Sequence, residues 1–151
     1  MKKLYLLSAL FIFACSTDSE GNPNNSNETF LERYDGVVWQ MQIDNEFEDA
    51  PRLLAFYNNP EMFRRNSGAS GNCEELYFGI FNDEIGEGWN LLLNDGDTLS
   101  AELVTDEGIA VSLSTGVVVD DVLTETITYP EDESYINEVI YTRTTLTDPC
   151  D

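Results

Sequence analysis

The sequence predicts an all-β domain, an antiparallel up-and-down meander of eight or nine strands with a short helical turn before the first strand. Apolar residues recur at every second position in short runs over most of the chain, which is typical of strands that bury one face. Turns rich in Gly, Asn and Asp separate the runs, with no helix between them for a parallel crossover. Such a meander hides its edges by closing into a barrel, or blunts them in a two-sheet sandwich. The local pattern is compatible with both.

The predicted elements follow one another closely along the domain. Residues 28–34 form the helical turn, with Asn27 as its N-cap, because an Asn side chain accepts a backbone N–H at that position. The strands are then read from the alternation of apolar residues. They are expected at 37–43, 53–57, 62–65, 76–81, 89–93, 99–103, 109–113 leading into 117–119, 122–129 and 135–146.

Turn residues mark where these strands end. Asp95-Gly96 lies between two alternating runs and predicts a hairpin, since a type I′ turn needs positive φ at both central residues. Asn58-Asn59-Pro60 stops the second strand, and 66–72 is a loop rich in Gly, Ser and Asn. Asp120-Asp121 indicates either a bulge or a break, and the segment 130–134 turns into the last strand.

The N-terminus predicts a cleaved and lipidated precursor. Two lysines precede residues 4–14, which are apolar apart from Tyr5 and Ser8. This run is shorter than the roughly 20 residues that span a bilayer, so residues 1–14 are interpreted as a signal peptide. Ile12-Phe13-Ala14-Cys15 resembles a lipobox, the site of bacterial lipoprotein signal peptidase. The resemblance implies cleavage before Cys15, lipidation of Cys15 and attachment to the membrane through that lipid.

The segment 15–27 predicts a flexible tether between this anchor and the domain at 28–151. After Cys15 the chain is polar and rich in Asn and Ser, a composition that cannot bury enough surface to offset its ordering entropy. Asp18 and Glu20 resemble the surface-export signals of lipoproteins in the Bacteroidota. The expected location is the outer membrane at the cell surface, with the periplasmic face as the alternative.

Composition excludes several functions. The formal net charge is −22, and it becomes more negative once Lys2 and Lys3 leave with the signal peptide, so nucleic acid is not an expected partner. The chain has no histidine, which removes the usual general base and the commonest transition-metal ligand. A mature chain without lysine also has no Schiff-base chemistry. We expect a monomer that is not an enzyme and that holds no cofactor and no metal.

Cys73 and Cys150 are predicted to form a disulfide. With Cys15 acylated, two thiols are left in an oxidising compartment, where they pair most simply with each other. Closing so long a loop contributes about 4 kcal/mol in the chain-entropy model. The rival interpretation, a reactive thiol, has no partner histidine.

A family resemblance favours the barrel over the sandwich. The segments 30–39, 58–60 and 141–144 resemble small lipocalin-like lipoproteins of flavobacteria. The resemblance implies a barrel in which Gly36 and Trp39 open the first strand and Arg143, late in the chain, lies across the Trp39 indole. Such a cation–π contact is worth about 0.5–2 kcal/mol, and its role is structural.

The pattern of the late strands predicts a pocket inside the barrel. Glu125 alternates with Leu123 and Ile127, and Glu138 with Ile136 and Ile140, so both acids interrupt apolar faces. A barrel that encloses a cavity often has a few polar groups among hydrophobic walls. The predicted lining combines these two acids with aromatic side chains. They are Phe78, Trp89, Glu125, Glu138 and Tyr141, with Trp39 as a further candidate.

Two function hypotheses follow from the pocket. In the first, the domain captures a small apolar or amphipathic ligand. In the second, aromatic side chains fill the barrel, the acids lie outside near the rim, and the protein has a structural or protein-interaction role.

Carboxylate chemistry is the remaining alternative. Glu74-Glu75, Asp120-Asp121, Glu125 and Glu138 are candidates for the acid pair of a glycosidase, but neighbours in a strand point to opposite faces and do not converge on one bond. Asn94–Asp97, Asp120-Asp121 and 131–133 are oxygen-rich turns without EF-hand spacing. They leave a weak surface calcium site open.

Overall fold

The structure, a computed structural model, describes residues 27–42, 52–66, 72–83 and 86–150. The predicted signal peptide, Cys15, the tether up to residue 26 and the end of the expected first strand at Ile43 lie outside these residues. The described chain forms one helical turn and ten strands. Their bounds are α1 Phe30–Arg33, β1 Val38–Met41, β2 Leu53–Asn58, β3 Glu61–Asn66, β4 Cys73–Tyr77, β5 Phe81–Asn82, β6 Glu87–Asp95, β7 Thr98–Thr105, β8 Ala110–Val119, β9 Val122–Tyr129 and β10 Asp132–Arg143.

The ten strands make one antiparallel sheet that curls into a nearly closed barrel, which confirms the predicted fold class. The order is β4-β3-β2-β1-β10-β9-β8-β7-β6-β5, so strands adjacent in sequence pair with each other except β4 and β5, which form the two edges of the sheet, and β1 also pairs with β10. The ring closes where Phe78, just after β4, bridges Trp89 on β6. There the Gly79 N–H donates to the Trp89 carbonyl oxygen at 2.7 Å.

The strand count exceeds the predicted eight or nine because one predicted strand is split in two. Gly79 has a φ of +72°, a conformation that glycine adopts at no steric cost. The chain therefore bends between β4 and the two-residue strand β5. By contrast, Ser114-Thr115-Gly116 does not interrupt the chain, and residues 110–119 form the single strand β8.

Two hairpin turns differ in detail from the prediction. Asp120 and Asp121 have φ values of 50° and 61° and join β8 to β9 as a two-residue turn with positive φ at both positions, as in type I′. Between β6 and β7 the turn is Gly96-Asp97, one residue later than expected, and of the two only Gly96 has positive φ.

The helical turn α1 closes one end of the barrel. Its N-cap is Thr29 rather than Asn27. The Thr29 hydroxyl accepts the Glu32 N–H at 3.2 Å, and the Glu32 carboxylate accepts the Thr29 N–H at 2.9 Å. Thr-x-x-Glu is the sequence signature of this reciprocal capping box. Phe30 and Leu31, in the same turn, are completely buried.

Polar contacts fix α1 to the turn between β6 and β7. The Leu31 N–H donates to the Asn94 side chain at 3.0 Å. Asp97 accepts from the Tyr34 hydroxyl at 2.6 Å and from the Arg33 guanidinium at 2.7 Å. The helical turn is therefore held in place from both its apolar and its polar sides.

The C-terminal segment 144–150 runs over the outer face of the first strands. The Thr144 N–H donates to the Val38 carbonyl of β1 at 2.9 Å, and Asp148 pairs with Arg64 of β3 at 2.8 Å. Cys150 then lies at disulfide-bonding distance from Cys73 at the start of β4, with the Cα atoms 5.4 Å apart. The predicted cysteine pair is confirmed, and it joins the end of the chain to the strand beside the barrel's gap.

Candidate functional site

The barrel interior is hollow. Side chains of β2, β3, β4 and β6 to β10 surround a cavity of about 500 Å³. Because side chains alternate between the two faces of a strand, the lining residues of β9 and β10 are mostly every second residue, as in Leu123, Glu125 and Ile127. Small residues leave room for the cavity on one side, among them Ala101 on β7 and Ser112, Ser114 and Gly116 on β8.

One wall of the cavity is aromatic. The Phe63 ring on β3 lies at its centre, with ring centroids 6.4 Å from Phe56, 5.5 Å from Phe78 and 5.3 Å from Trp89. The Phe63–Trp89 pair is edge to face, an arrangement that aromatic rings favour. This wall also bridges the gap in the sheet, since Phe78 and Trp89 come from its two sides.

A hydrogen-bonded polar group faces the cavity from β8, β9 and β10. One oxygen of the Glu125 carboxylate accepts the Ser114 hydroxyl at 2.6 Å, and the other accepts the Tyr141 hydroxyl at 3.0 Å. Burial raises the pKa of Tyr141 above its ordinary value, and the negative charge and hydrogen bond of Glu125 raise it further. Tyr141 therefore stays a neutral donor to Glu125.

A glycine leaves space for side chains beside Glu125. Gly116 lies directly opposite Glu125 in the β8–β9 register. A Cβ at Gly116 would come within 3.1 Å of the Leu123 Cδ1 atom, so a larger residue would force Leu123 to move. Val139 lies opposite Glu125 on the other side, on β10, and brings no polar side-chain atom.

Charged side chains line the cavity at the ends of β2, β3 and β4. Arg65 and Glu74 form an ion pair with an Nε–Oε2 distance of 2.5 Å, and Arg52 lies at the start of β2. The next residues, Arg64 and Glu75, pair with each other on the outer face at 2.5 Å. Glu74 and Glu75 therefore point to opposite faces, as the alternation of a strand requires.

Four of the five predicted pocket residues line the cavity, namely Phe78, Trp89, Glu125 and Tyr141. The prediction for Glu138 is wrong. Glu138 is exposed on the outer face of β10 together with Ile136 and Ile140, which are 61% and 37% exposed. The inward set of β10 is the alternate one, and it presents Asn137, Val139 and Tyr141 to the cavity. The apolar side chains of Ile136 and Ile140 suggested an inward face, but they lie on the outer face of β10.

Trp39 does not line the cavity either. It is completely buried at the closed end, with its ring centroid 5.7 Å from that of Tyr34. Its indole Nε1 has no hydrogen-bond partner among the described residues. The aromatic side chain thus packs beside Tyr34, next to α1, and not against the cavity.

Arg143 and Trp39 lie opposite each other on paired strands, but their side chains do not form the predicted cation–π contact. The two residues are paired across β1 and β10, but the Arg143 guanidinium bonds Asp121 at 3.2 Å and its side chain is 51% exposed. The cation–π contact found in the described chain joins Arg64 to Tyr57 instead, at 5.4 Å. Gly36 has a φ of +69° and its N–H donates to the Phe56 carbonyl oxygen at 2.8 Å, just before β1.

The prediction missed the polar residues Arg52, Arg65, Ser112 and Ser114. A signal for the two serines is present in Ser112-x-Ser114-x-Gly116, where small residues repeat with the period of a strand. Such a row leaves space beside the sheet. The arginines carry no comparable signal, because an alternating strand allows either Arg64 or Arg65 to face inward.

Fold and site together define a nearly closed antiparallel β-barrel with a hollow, partly polar interior. No protein-family model, curated protein or solved structure matches the chain. In the described ranges, no cluster of three or more Cys, Asp or Glu side chains is placed to hold a metal ion. None of the helical residues within those ranges forms a helix long and apolar enough to cross a membrane.

Proposed function

We propose that this chain is a lipid-anchored envelope protein whose lipocalin-like barrel binds a small apolar or amphipathic ligand without catalysis. The hollow interior carries the proposal. A cavity of about 500 Å³ falls within the range of about 300–1,000 Å³ that is usual for small-molecule sites. A barrel with a filled core would have no such space.

The lining supports an amphipathic ligand. Its aromatic wall at Phe63, Phe78 and Trp89 offers an apolar surface, and Ser114, Glu125 and Tyr141 offer polar atoms. Ligand sites commonly combine mostly apolar walls with a few placed polar groups that fix orientation. The ligand would therefore lie with its apolar body against the aromatic wall.

A binding role fits these carboxylates better than glycoside hydrolysis does. Glu74 is held by Arg65, and Glu125 accepts two hydroxyl donors. A glycosidase needs one carboxyl group that stays protonated as an acid and a second aimed at the opposite side of the same bond. The contacts described here supply neither role.

The anchor and location rest on the sequence. The lipobox-like ending at Cys15 and the polar segment 15–27 favour a tether of some length at the outer membrane surface. The Cys73–Cys150 pair suits an oxidising compartment outside the cytosol. These features support an envelope location, in which the barrel's cavity would be in contact with the extracellular or periplasmic medium.

Ligand capture is tested by tryptophan fluorescence with a panel of fatty acids, sterols and porphyrins. Trp89 lines the cavity, so an occupant changes its emission. Ala101→Phe puts a ring into the cavity and should abolish binding, whereas Thr126→Phe, on the outer face of β9, should not. A panel without a binder, or an Ala101→Phe variant that binds like the parent protein, would contradict the proposal.

The anchor is tested separately by mass spectrometry of the protein purified from its native host. The expected N-terminus is an acylated Cys15, and Cys15→Ala should leave an unprocessed precursor. An intact Met1 without acyl chains would refute the envelope part of the proposal and leave the cavity argument unchanged.

A protein-interaction role is the second candidate, and one surface feature favours it. The outer face of β8 and β10 exposes Val117, Val119, Ile136 and Ile140, at 37%, 64%, 61% and 37%. Val117 and Ile140 flank the same residue of β9, Thr124, and exposed apolar side chains grouped in this way often mark contact surfaces. If no ligand of the panel binds, a variant with both Ile136 and Ile140 replaced by Thr should no longer bind a protein partner that binds the parent protein.

A further inference from the structure

Glu125 is an acidic group of the cavity wall without a direct ion pair to a described arginine, although the charges of Arg52 and Arg65 reach its partner Tyr141. Its two oxygens accept hydroxyl donors from Ser114 and Tyr141, and among the described residues it forms no ion pair. The other acidic side chain of the lining, Glu74, is paired with Arg65. The two carboxylates therefore differ in the one property that matters to a charged ligand.

The two hydroxyl groups satisfy Glu125 only in part. A carboxylate has about four lone-pair sites, and each hydroxyl supplies a single donor. Directly opposite Glu125 on the flanking strands lie Gly116 and Val139, which contribute no side-chain donor. This leaves room for a further donor from a molecule inside the cavity.

A positive group would bind there better than a neutral one. A charge withdrawn from water is costly unless it is paired and hydrogen-bonded, so a cation at Glu125 restores the missing partner. Charge-assisted hydrogen bonds are also roughly twice as strong as neutral ones. The partly apolar surroundings of Glu125 strengthen that attraction relative to water.

We propose that the ligand is a cationic amphiphile, an apolar chain or ring system bearing a protonated amine that binds Glu125. This inference rests on the proposed function, that is, on the cavity holding a ligand at all. The amine donates to the Glu125 carboxylate between Gly116 and Val139. The apolar body lies across the cavity on Phe63, Phe78 and Trp89.

The arginines of the lining do not reverse this preference. Arg65 is already paired with Glu74 and its side chain is 47% exposed, and Arg52 is exposed at the start of β2. Solvent screens charges at such positions more than it screens Glu125. The chain's net charge of −22 also attracts cations and repels anions over the whole approach. A fatty acid would meet negative charge both as it approaches the protein and at Glu125 inside the cavity.

Three probes with the same twelve-carbon chain test the charge preference: dodecylammonium, dodecanol and dodecanoate. Binding is followed by Trp89 fluorescence and by calorimetry at an ionic strength of about 0.15 M, which screens the surface charge. Dodecylammonium should bind at least about tenfold more tightly than dodecanoate, with dodecanol between them. Dodecanoate binding as tightly as dodecylammonium would overturn the inference.

Matched variants show whether Glu125 is responsible. Glu125→Gln removes the charge but keeps the shape, and its amide can still accept from Tyr141 and donate to Ser114. It should weaken dodecylammonium about tenfold and leave dodecanol within about threefold. Glu138→Gln makes the same charge change on the outer face of the next strand and should alter neither. Melting curves check that both variants are folded.

The outcomes separate this inference from the proposed function. Suppose that dodecanol or dodecanoate binds the parent protein but not Ala101→Phe, and that Glu125→Gln binds dodecylammonium as tightly as the parent does. The cavity then binds ligands, but the proposed preference for a cation is wrong. If Ala101→Phe leaves all binding intact, the probes are on the surface and both ideas fail. Equal losses in Glu125→Gln and Glu138→Gln would show an effect of net charge alone and also overturn the inference.

Discussion

Replacing Trp39 with alanine tests whether the end of the barrel under α1 is a packed core. Trp39 is completely buried, and truncating a buried tryptophan costs about 3–5 kcal/mol through lost transfer energy and the cavity left behind. Its edge contact with Tyr34 at 5.7 Å adds to this loss. Because the indole Nε1 has no hydrogen-bond partner among the described residues, no hydrogen bond is lost in addition.

That loss is large against the whole stability of a domain, which is about 5–15 kcal/mol. For a domain of this size each kcal/mol lowers the melting temperature by about 3–6 °C. Trp39→Ala should therefore melt at least about 10 °C below the parent protein. Urea unfolding, followed by far-ultraviolet circular dichroism with the disulfide oxidised, gives the free-energy change directly.

The other tryptophan is the matched control. Trp89 is only partly buried and one side of it faces the cavity, so Trp89→Ala enlarges a space that already exists and should cost less. A Trp39→Ala protein that melts within a degree or two of the parent would refute the argument. So would a Trp89→Ala protein that is destabilised more than Trp39→Ala.

Three further changes test separate features of the barrel. Replacing both Cys73 and Cys150 with Ser should lower the free energy of unfolding by about 4 kcal/mol; urea melts that match the oxidised parent would contradict this. Asp97→Asn should destabilise the protein at neutral pH, because hydrogen bonds from Tyr34 and Arg33 lower the pKa of Asp97 in the folded state. Because the pKa of Asp97 is lower in the folded than in the unfolded state, the ionised carboxylate stabilises the fold above the unfolded-state pKa, and this stabilisation is lost as the pH falls through the folded-state pKa. The difference in free energy of unfolding between Asp97→Asn and the parent should therefore shrink below about pH 4. A difference that does not depend on pH would refute this argument. Replacing Asp120-Asp121 with Asn-Gly should stabilise the β8–β9 hairpin by about 0.5–1 kcal/mol, since Asn-Gly suits positive φ at both positions; a lower melting temperature would show that the Asp121–Arg143 contact matters more.

The sequence predicted the architecture because strands with one buried face leave a period of two. β9 was predicted with its observed bounds, and its inward set of Leu123, Glu125 and Ile127 follows from alternation alone. The hairpin at Asp120-Asp121 was left open because Asp tolerates positive φ less well than Gly or Asn. Only the paired strands on both sides decide between a turn and a bulge.

The site was less predictable because the two faces of β10 are both partly apolar. Ile136, Glu138 and Ile140 alternate with Asn137, Val139 and Tyr141, and the pattern does not say which set faces inward. That choice depends on the β10–β9 register and on the irregularity between Asp132 and Ile136. Whether the barrel is hollow likewise depends on the summed volumes of side chains from strands far apart in sequence, such as Phe63, Ala101 and Gly116, which line the same cavity.

The pairing of β1 with β10 imposes an order on how the protein matures. The N-terminal part of the chain is synthesised first, so one edge of β1 stays uncovered until β10 has been made. Contacts between such distant segments slow folding, and uncovered edges invite association with neighbouring chains. The ring is thus incomplete until the end of the chain is present, and a chain cut short before β10 would stay in that state.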